Sequence, residues 1–307
     1  MVRAHPRISI PGESHFIPHF FQSYGDPRDS DEAIRLGGRI VAFTRVRRWG
    51  LDIRAEDFSH CRRYADAVET LFRAWAGTES KPRWGDKTPH YVRHIPTLLR
   101  IHPNAQVLHI IRDPRPACDS WKRHPFGTGN HHSAALLWVR NVSLGREAGA
   151  QLRSDQYHEV RYEDLLGSPD ATMNRIFGFL EEITPEEGPR LNPPPLTVIN
   201  PLANVSRTEL VASNADAWRG RMTPVEIRRV ESVAGDLMER LGYEASSPPG
   251  PSPPIRSTFW RLQSFLLHYL RMFKRFGKVR DNFHLLLGRL RRPRLQAGVE
   301  QRDRAGR

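Results

Sequence analysis

Arg112 and Ser120 stand eight residues apart in the run Val107 to Trp121, VLHIIRDPRPACDSW. A guanidinium offers a rigid fork of donors and a hydroxyl adds one more. Converging on one point, the two suit a phosphate dianion. A plainer arrangement uses the same residues, with Arg112 paired to Asp113 or to a helix carboxylate and Ser120 on the surface.

What would position them is a strand, a turn and a helix. Val107 to Ile111 is a short apolar run, mostly β-branched or bulky, and reads as a buried strand of a parallel sheet. It stops at Arg112-Asp113-Pro114. Pro114 and Pro116 bar the strand from continuing, while Ala117 to Arg123 can start a helix. Such a step places its turn in the crevice at the carboxyl ends of the strands, where open α/β sheets bind ligands.

With these residues in view, RDPRPACDSW resembles the 3′-phosphate-binding motif of the sulfotransferases that use 3′-phosphoadenosine 5′-phosphosulfate (PAPS). The wider block from Trp84 to Trp121, WGDKTPHYVRHIPTLLRIHPNAQVLHIIRDPRPACDSW, is similar to their bacterial and tyrosylprotein branches, and the resemblance runs from about His5 to Tyr243. It implies an α/β fold with a P-loop NTPase-like central parallel sheet flanked by helices. It also implies in-line transfer of a sulfuryl group from PAPS to a hydroxyl or amine, with Arg112 and Ser120 holding the 3′-phosphate and no metal taking part.

The resemblance carries further residues. Glu13, in PGESHFIP, matches a glutamate proposed to take the proton from the acceptor hydroxyl, which requires hydrogen-bond reach and a pKa set by partial burial. A helix cap or a surface acid is the plainer use. Ser14 and His15 can cap equally well, and His15 is the substitute base. Lys87, in WGDKTP, corresponds to a lysine that contacts the transferring sulfonate or its leaving oxygen, where an ammonium stabilises charge that develops in the transition state; otherwise it is a solvated surface lysine. Tyr162 lies in a segment that resembles the family's YEDL element, whose tyrosine approaches the nucleotide; packing under the sheet edge is the alternative. Ser206 or Arg207, in NVSR, falls where related enzymes return a late loop over the nucleotide, within reach of the 3′-phosphate.

In the resembled family a strand, a phosphosulfate loop similar to GxxRSGTT and a helix precede a segment like HPRISIPGESHFIP. The chain therefore reads as starting part-way through that helix, with the first strand and P-loop missing. Met1 is expected to be an internal residue of a longer reading frame, the alternative being an inactive truncation: a non-catalytic nucleotide-binding or membrane-peripheral relic. A nucleotide kinase on the same sheet is disfavoured by the lack of a GxxxxGK[ST] run.

Patterning supplies the remaining elements. Apolar residues keep helical period from Asp57 to Gly77, with Phe58, Tyr64, Phe72 and Trp75 as core. Helices are expected over Tyr91–Ile101, Ser133–Leu152 and Pro169–Leu180, and a short strand and turn over Tyr157–Leu165. Residues 26–54 carry no firm signal and are expected to shape the acceptor pocket. Thr223-Pro224-Val225-Glu226 is a capping box opening a helix that Gly242 closes.

Of the 307 residues, 1–245 read as the sulfotransferase-like α/β domain, 246–254 as a Pro/Ser-rich linker and 255–307 as a basic amphipathic helical tail. Of the net charge of +13, +11 falls in residues 251–307. Residues 251–307 hold 14 Lys and Arg against 3 Asp and Glu, leaving 33 basic and 31 acidic residues in the first 250. A near-neutral body disfavours nucleic-acid binding, while the tail suits peripheral membrane contact, docking on a partner or folding back on the body. Cys61 and Cys118 form no disulfide framework, which points to a reducing, cytoplasmic setting. The acceptor is left open among glycan, lipid, peptide and small metabolite.

Overall fold

Two parallel strand pairs set the frame of the computed structural model, which describes residues 1–124, 127–184 and 218–246. In chain order the elements begin with β1 (Ile8–Ser9), α1 (Ile17–Tyr24), α2 (Ser30–Ala42), α3 (Thr44–Arg47), α4 (Tyr64–Thr78), β2 (Arg83–Trp84) and α5 (Ile95–Ile101). They continue with β3 (Val107–Ile111), α6 (Pro114–Arg123), α7 (His131–Gly149), β4 (Tyr157–Arg161), α8 (Tyr162–Gly167), α9 (Pro169–Phe179) and α10 (Pro224–Arg240). The linker beyond Ser246, the 255–307 tail and the Asn204–Arg207 segment lie outside the described residues.

β1 pairs with β2 in parallel, Ile8 opposite Arg83, and β3 pairs with β4 in parallel from Val107 opposite Tyr157 to Ile111 opposite Arg161. The expected central sheet is thus present as two separate two-stranded ladders among the described residues. Side chains join them. The Arg83 guanidinium donates to the Gln106 side chain and to the Leu180 carbonyl, and Ile8 shares one apolar cluster with Leu108, Val160, Met173 and Phe177.

The largest core lies over α1, α2 and α4, where Phe16, Ile40, Phe58, Tyr64, Val68, Leu71 and Phe72 are buried. Each such side chain contributes about 1.5–3 kcal/mol. On the other ladder α7 packs so closely that a Cβ on Gly145 would lie 2.4 Å from the His109 ring. His109 donates from Nδ1 to the Tyr157 hydroxyl (2.6 Å), which in turn donates to Glu159 (3.0 Å).

Several expected boundaries shift, each for a local reason. The Asp57–Gly77 run splits into a 3-10 turn (Ala55–Phe58) and α4, because Asp66 accepts from the N–H groups of Arg62 and Arg63 and restarts the helix. The Tyr91–Ile101 run becomes a 3-10 turn (Pro89–His94) and α5, since Pro96 has no N–H to bond back one turn. Asn130 caps α7 through the Ser133 N–H (2.8 Å), which sets its start at His131. After β4 the chain enters α8 rather than a turn, and α6 begins at Pro114 because prolines at its first positions forfeit only N–H groups that lack helical partners anyway. Residues 26–54 hold a full helix, α2, capped by Asp29. Val2–Ala4 is a single 3-10 turn.

β3 was expected to be buried throughout. His109 and Ile111 are, but Ile110 is 57% exposed, because the apolar cluster on its face reaches Leu108 and does not extend to Ile110. No helix among the described residues is long and apolar enough to cross a membrane.

Candidate active site

The segments carrying Glu13 and Lys87 both leave the carboxyl ends of a parallel pair. Register and the Gly85 N–H to Ser9 carbonyl bond (2.9 Å) hold β1 and β2 in step, so residues four beyond Ser9 and three beyond Trp84 meet. Lys87 Nζ donates to Glu13 Oε1 at 2.6 Å. His15 Nε2 contacts the other oxygen, Oε2, at 2.8 Å.

A buried hydroxyl network fixes the backbone that bears this trio. Ser14 Oγ donates to Asp86 and lies 2.7 Å from the Tyr91 hydroxyl. That hydroxyl also accepts the Ile17 N–H (3.0 Å), so its own proton points at Ser14. Thr88 Oγ1 donates to Asp86 (2.8 Å) and accepts the Ser14 N–H (3.2 Å). Ser14 therefore braces the loop and does not cap α1. His15 adopts φ +58, a left-handed conformation rare for a residue with a Cβ and a form of strain that clusters at functional sites.

Electrostatics sharpen the picture. Burial alone would raise the Glu13 carboxyl, but hydrogen bonds from His15 and Lys87 and their charges hold it down to about 2. Asp86 is the reverse case, pushed up to about 6 by burial against the Ser14 and Thr88 hydrogen bonds. Burial lowers His90, aided by the charges of Arg93 and His15.

The second group of residues sits where β3 gives way to α6. The Arg112 guanidinium lies 4.4 Å from the centre of the Tyr162 ring, the first residue of α8. The Arg112 carbonyl accepts from Trp138 Nε1 of α7 (3.0 Å). Asp113 is held by Arg115, which donates to its carboxylate at 2.6 Å and to Glu231 of α10 at 3.0 Å while stacking on Trp218. Glu163 accepts the Asp113 N–H (2.9 Å) and the Tyr243 hydroxyl (3.0 Å). Ser120 is exposed on α6, and Ser206 lies outside the described residues. The structure thus brings Glu13 to Lys87 and Arg112 to Tyr162.

A family model described as "Sulfotransferase family" matches residues 1–186. The chain belongs to the sulfotransferase family. Nodulation protein NoeE of Sinorhizobium fredii is 26% identical over 284 residues, covering 80% of this chain and 62% of NoeE. Human carbohydrate sulfotransferase 2 is 29% identical over 145 residues, 44% of this chain and 27% of that protein. This family member therefore spans less than two thirds of either relative. Among solved structures, the sulfotransferase domain of the Synechococcus PCC 7002 olefin synthase superposes with a TM-score of 0.56 at 21% identity, covering 78% of this chain and 87% of that one, which shows a shared fold.

Two residues of the candidate site carry no signal in the sequence. Arg45 on α3 is exposed, yet burial by the surrounding protein lowers its pKa while the nearby charge of Glu13 acts to raise it. It is one of Arg45, Arg47 and Arg48, and only the docking of Phe43 on Phe16 and Phe20 and of Val46 into the core selects it. Arg115 gives no such signal because Glu231, which it joins to Asp113, lies on α10, 116 residues away.

Proposed function

We propose that this protein transfers a sulfuryl group from PAPS to a hydroxyl or amine of an acceptor. The observation that carries this reading is the meeting of Glu13 and Lys87, two residues 74 positions apart that match the family's acceptor base and sulfonate-binding lysine. In the reaction the acceptor oxygen attacks sulfur, the bond from sulfur to the 5′-phosphate oxygen breaks, and the acceptor proton passes to Glu13. The leaving product is adenosine 3′,5′-bisphosphate, and Lys87 stabilises the charge that develops on its bridging oxygen. Arg112, Ser120 and Tyr162 hold the 3′-phosphate and its nucleoside. The stacking of Arg112 on Tyr162 supports this by fixing the guanidinium at the end of β3.

The acceptor class is a hydroxyl-bearing molecule, and the name of carbohydrate sulfotransferase 2 makes a glycan the first to try. The test is release of adenosine 3′,5′-bisphosphate from PAPS by the full-length protein against glycans and hydroxylated lipids. Acceptor-dependent release should fall by about 100-fold or more in Lys87→Met, the scale for losing one transition-state donor. Equal turnover by wild type, Lys87→Met and Glu13→Gln would contradict the assignment.

A further inference from the structure

Lys87 has two partners to serve with one ammonium. Its Nζ is 2.6 Å from Glu13 Oε1, whereas the function proposed above needs the same group on the sulfonate. The two contacts on the Glu13 carboxylate differ in kind. On Oε2 stands His15, fixed by a φ of +58 and by a ring packed edge-on to His90, with centroids 6.1 Å apart. On Oε1 stands a long side chain that is 66% exposed. Glu13 is the hydrogen-bond partner of that ammonium among the described residues. One contact is built in and the other is free to leave.

We propose that the Lys87–Glu13 ion pair is a latch: the sulfonate of the donor draws Lys87 off the carboxylate while His15 keeps Glu13 aimed, so the base is released only when the donor is seated. This inference rests on the sulfotransferase reading of the same site. With both oxygens engaged, Glu13 is a poor proton acceptor. Once the ammonium turns to the sulfonate, His15 and Arg45 remain as its cationic or titratable neighbours, with Asp86 below and His90 beside. Burial then acts in the direction of a stronger base. Acceptor activation is thereby coupled to donor occupancy, and an acceptor arriving first meets a neutralised carboxylate.

A latch competes with the donor, which gives the test its sign. Calorimetric titration of PAPS, without acceptor, is carried out on the full-length wild type, Glu13→Gln, Lys87→Met and the double variant. Glu13→Gln should tighten donor binding about two- to fivefold, the equilibrium value of a partly exposed ion pair, and should do so only where Lys87 is present. Unchanged or weaker binding in Glu13→Gln overturns the latch. Equal tightening with and without Lys87 also overturns it, because the effect is then plain repulsion between Glu13 and an anion. No binding of PAPS by the wild type overturns the sulfotransferase reading, and the latch falls with it.

Discussion

Glu13 and Asp86 sit close together and titrate in opposite directions, so they leave different marks on stability. The Glu13 carboxyl is lowered from 4.5 to about 2, so its contribution is complete above 4.5 and is lost as pH falls through the folded value. The stability difference between wild type and Glu13→Gln, from urea unfolding, should therefore be constant above pH 5 and shrink between about 4.5 and 2. Asp86 is raised from 3.8 to about 6, so the folded state is favoured with this group protonated and stability declines as pH rises across that interval. Asp86→Asn should flatten that decline in thermal unfolding. A decline of equal slope in the variant would show that another group is responsible. Short patterns resembling a family mark Glu13, Lys87, Arg112 and Tyr162 as candidates in the sequence, and what the structure adds is their pairing, Glu13 with Lys87 and Arg112 with Tyr162. Arg45 and Asp86 were not legible, since their roles arise from packing that brings α3 and a buried hydroxyl network to Glu13.

At the level of elements, close approach and buried charge dominate. In Gly145→Ala the new Cβ would meet His109 at 2.4 Å and Val92 at 2.8 Å, so α7 or the His109 and Val92 side chains must give way. Overpacking of this kind costs about 1–3 kcal/mol, measurable as a lower urea midpoint; a neutral outcome would mean that the helix or those side chains shift freely. Arg115 ties the β3–α6 turn to α10 through Asp113 and Glu231, both buried. Arg115→Met leaves two carboxylates without their cation and should cost about 3–5 kcal/mol. The existence of most helices was readable from apolar period. Their ends were not, because Asp66 and Asn130 act by accepting backbone N–H groups and Pro96 by lacking one, which a periodic pattern does not register. Gly242 shows the reverse, a φ of +70 just after α10 where a residue without a Cβ closes a helix at no strain.

For the molecule as a whole, the parallel ladders place Glu13 and Lys87 at the carboxyl ends of β1–β2, and Arg112 with Tyr162 at those of β3–β4. The α/β class and the family were legible in the order of the motifs, but the division of the sheet was not, because β1 and β2 are two residues each and carry little periodicity. A donor bridging both ends is the central claim. Its most direct test is calorimetric titration of the full-length protein with adenosine 3′,5′-bisphosphate, comparing wild type with Arg112→Ala. The account predicts saturable one-site binding by wild type and a loss of about tenfold or more in the variant, as expected for a charged phosphate contact. Absence of binding by the wild type, or equal binding by both, would contradict it.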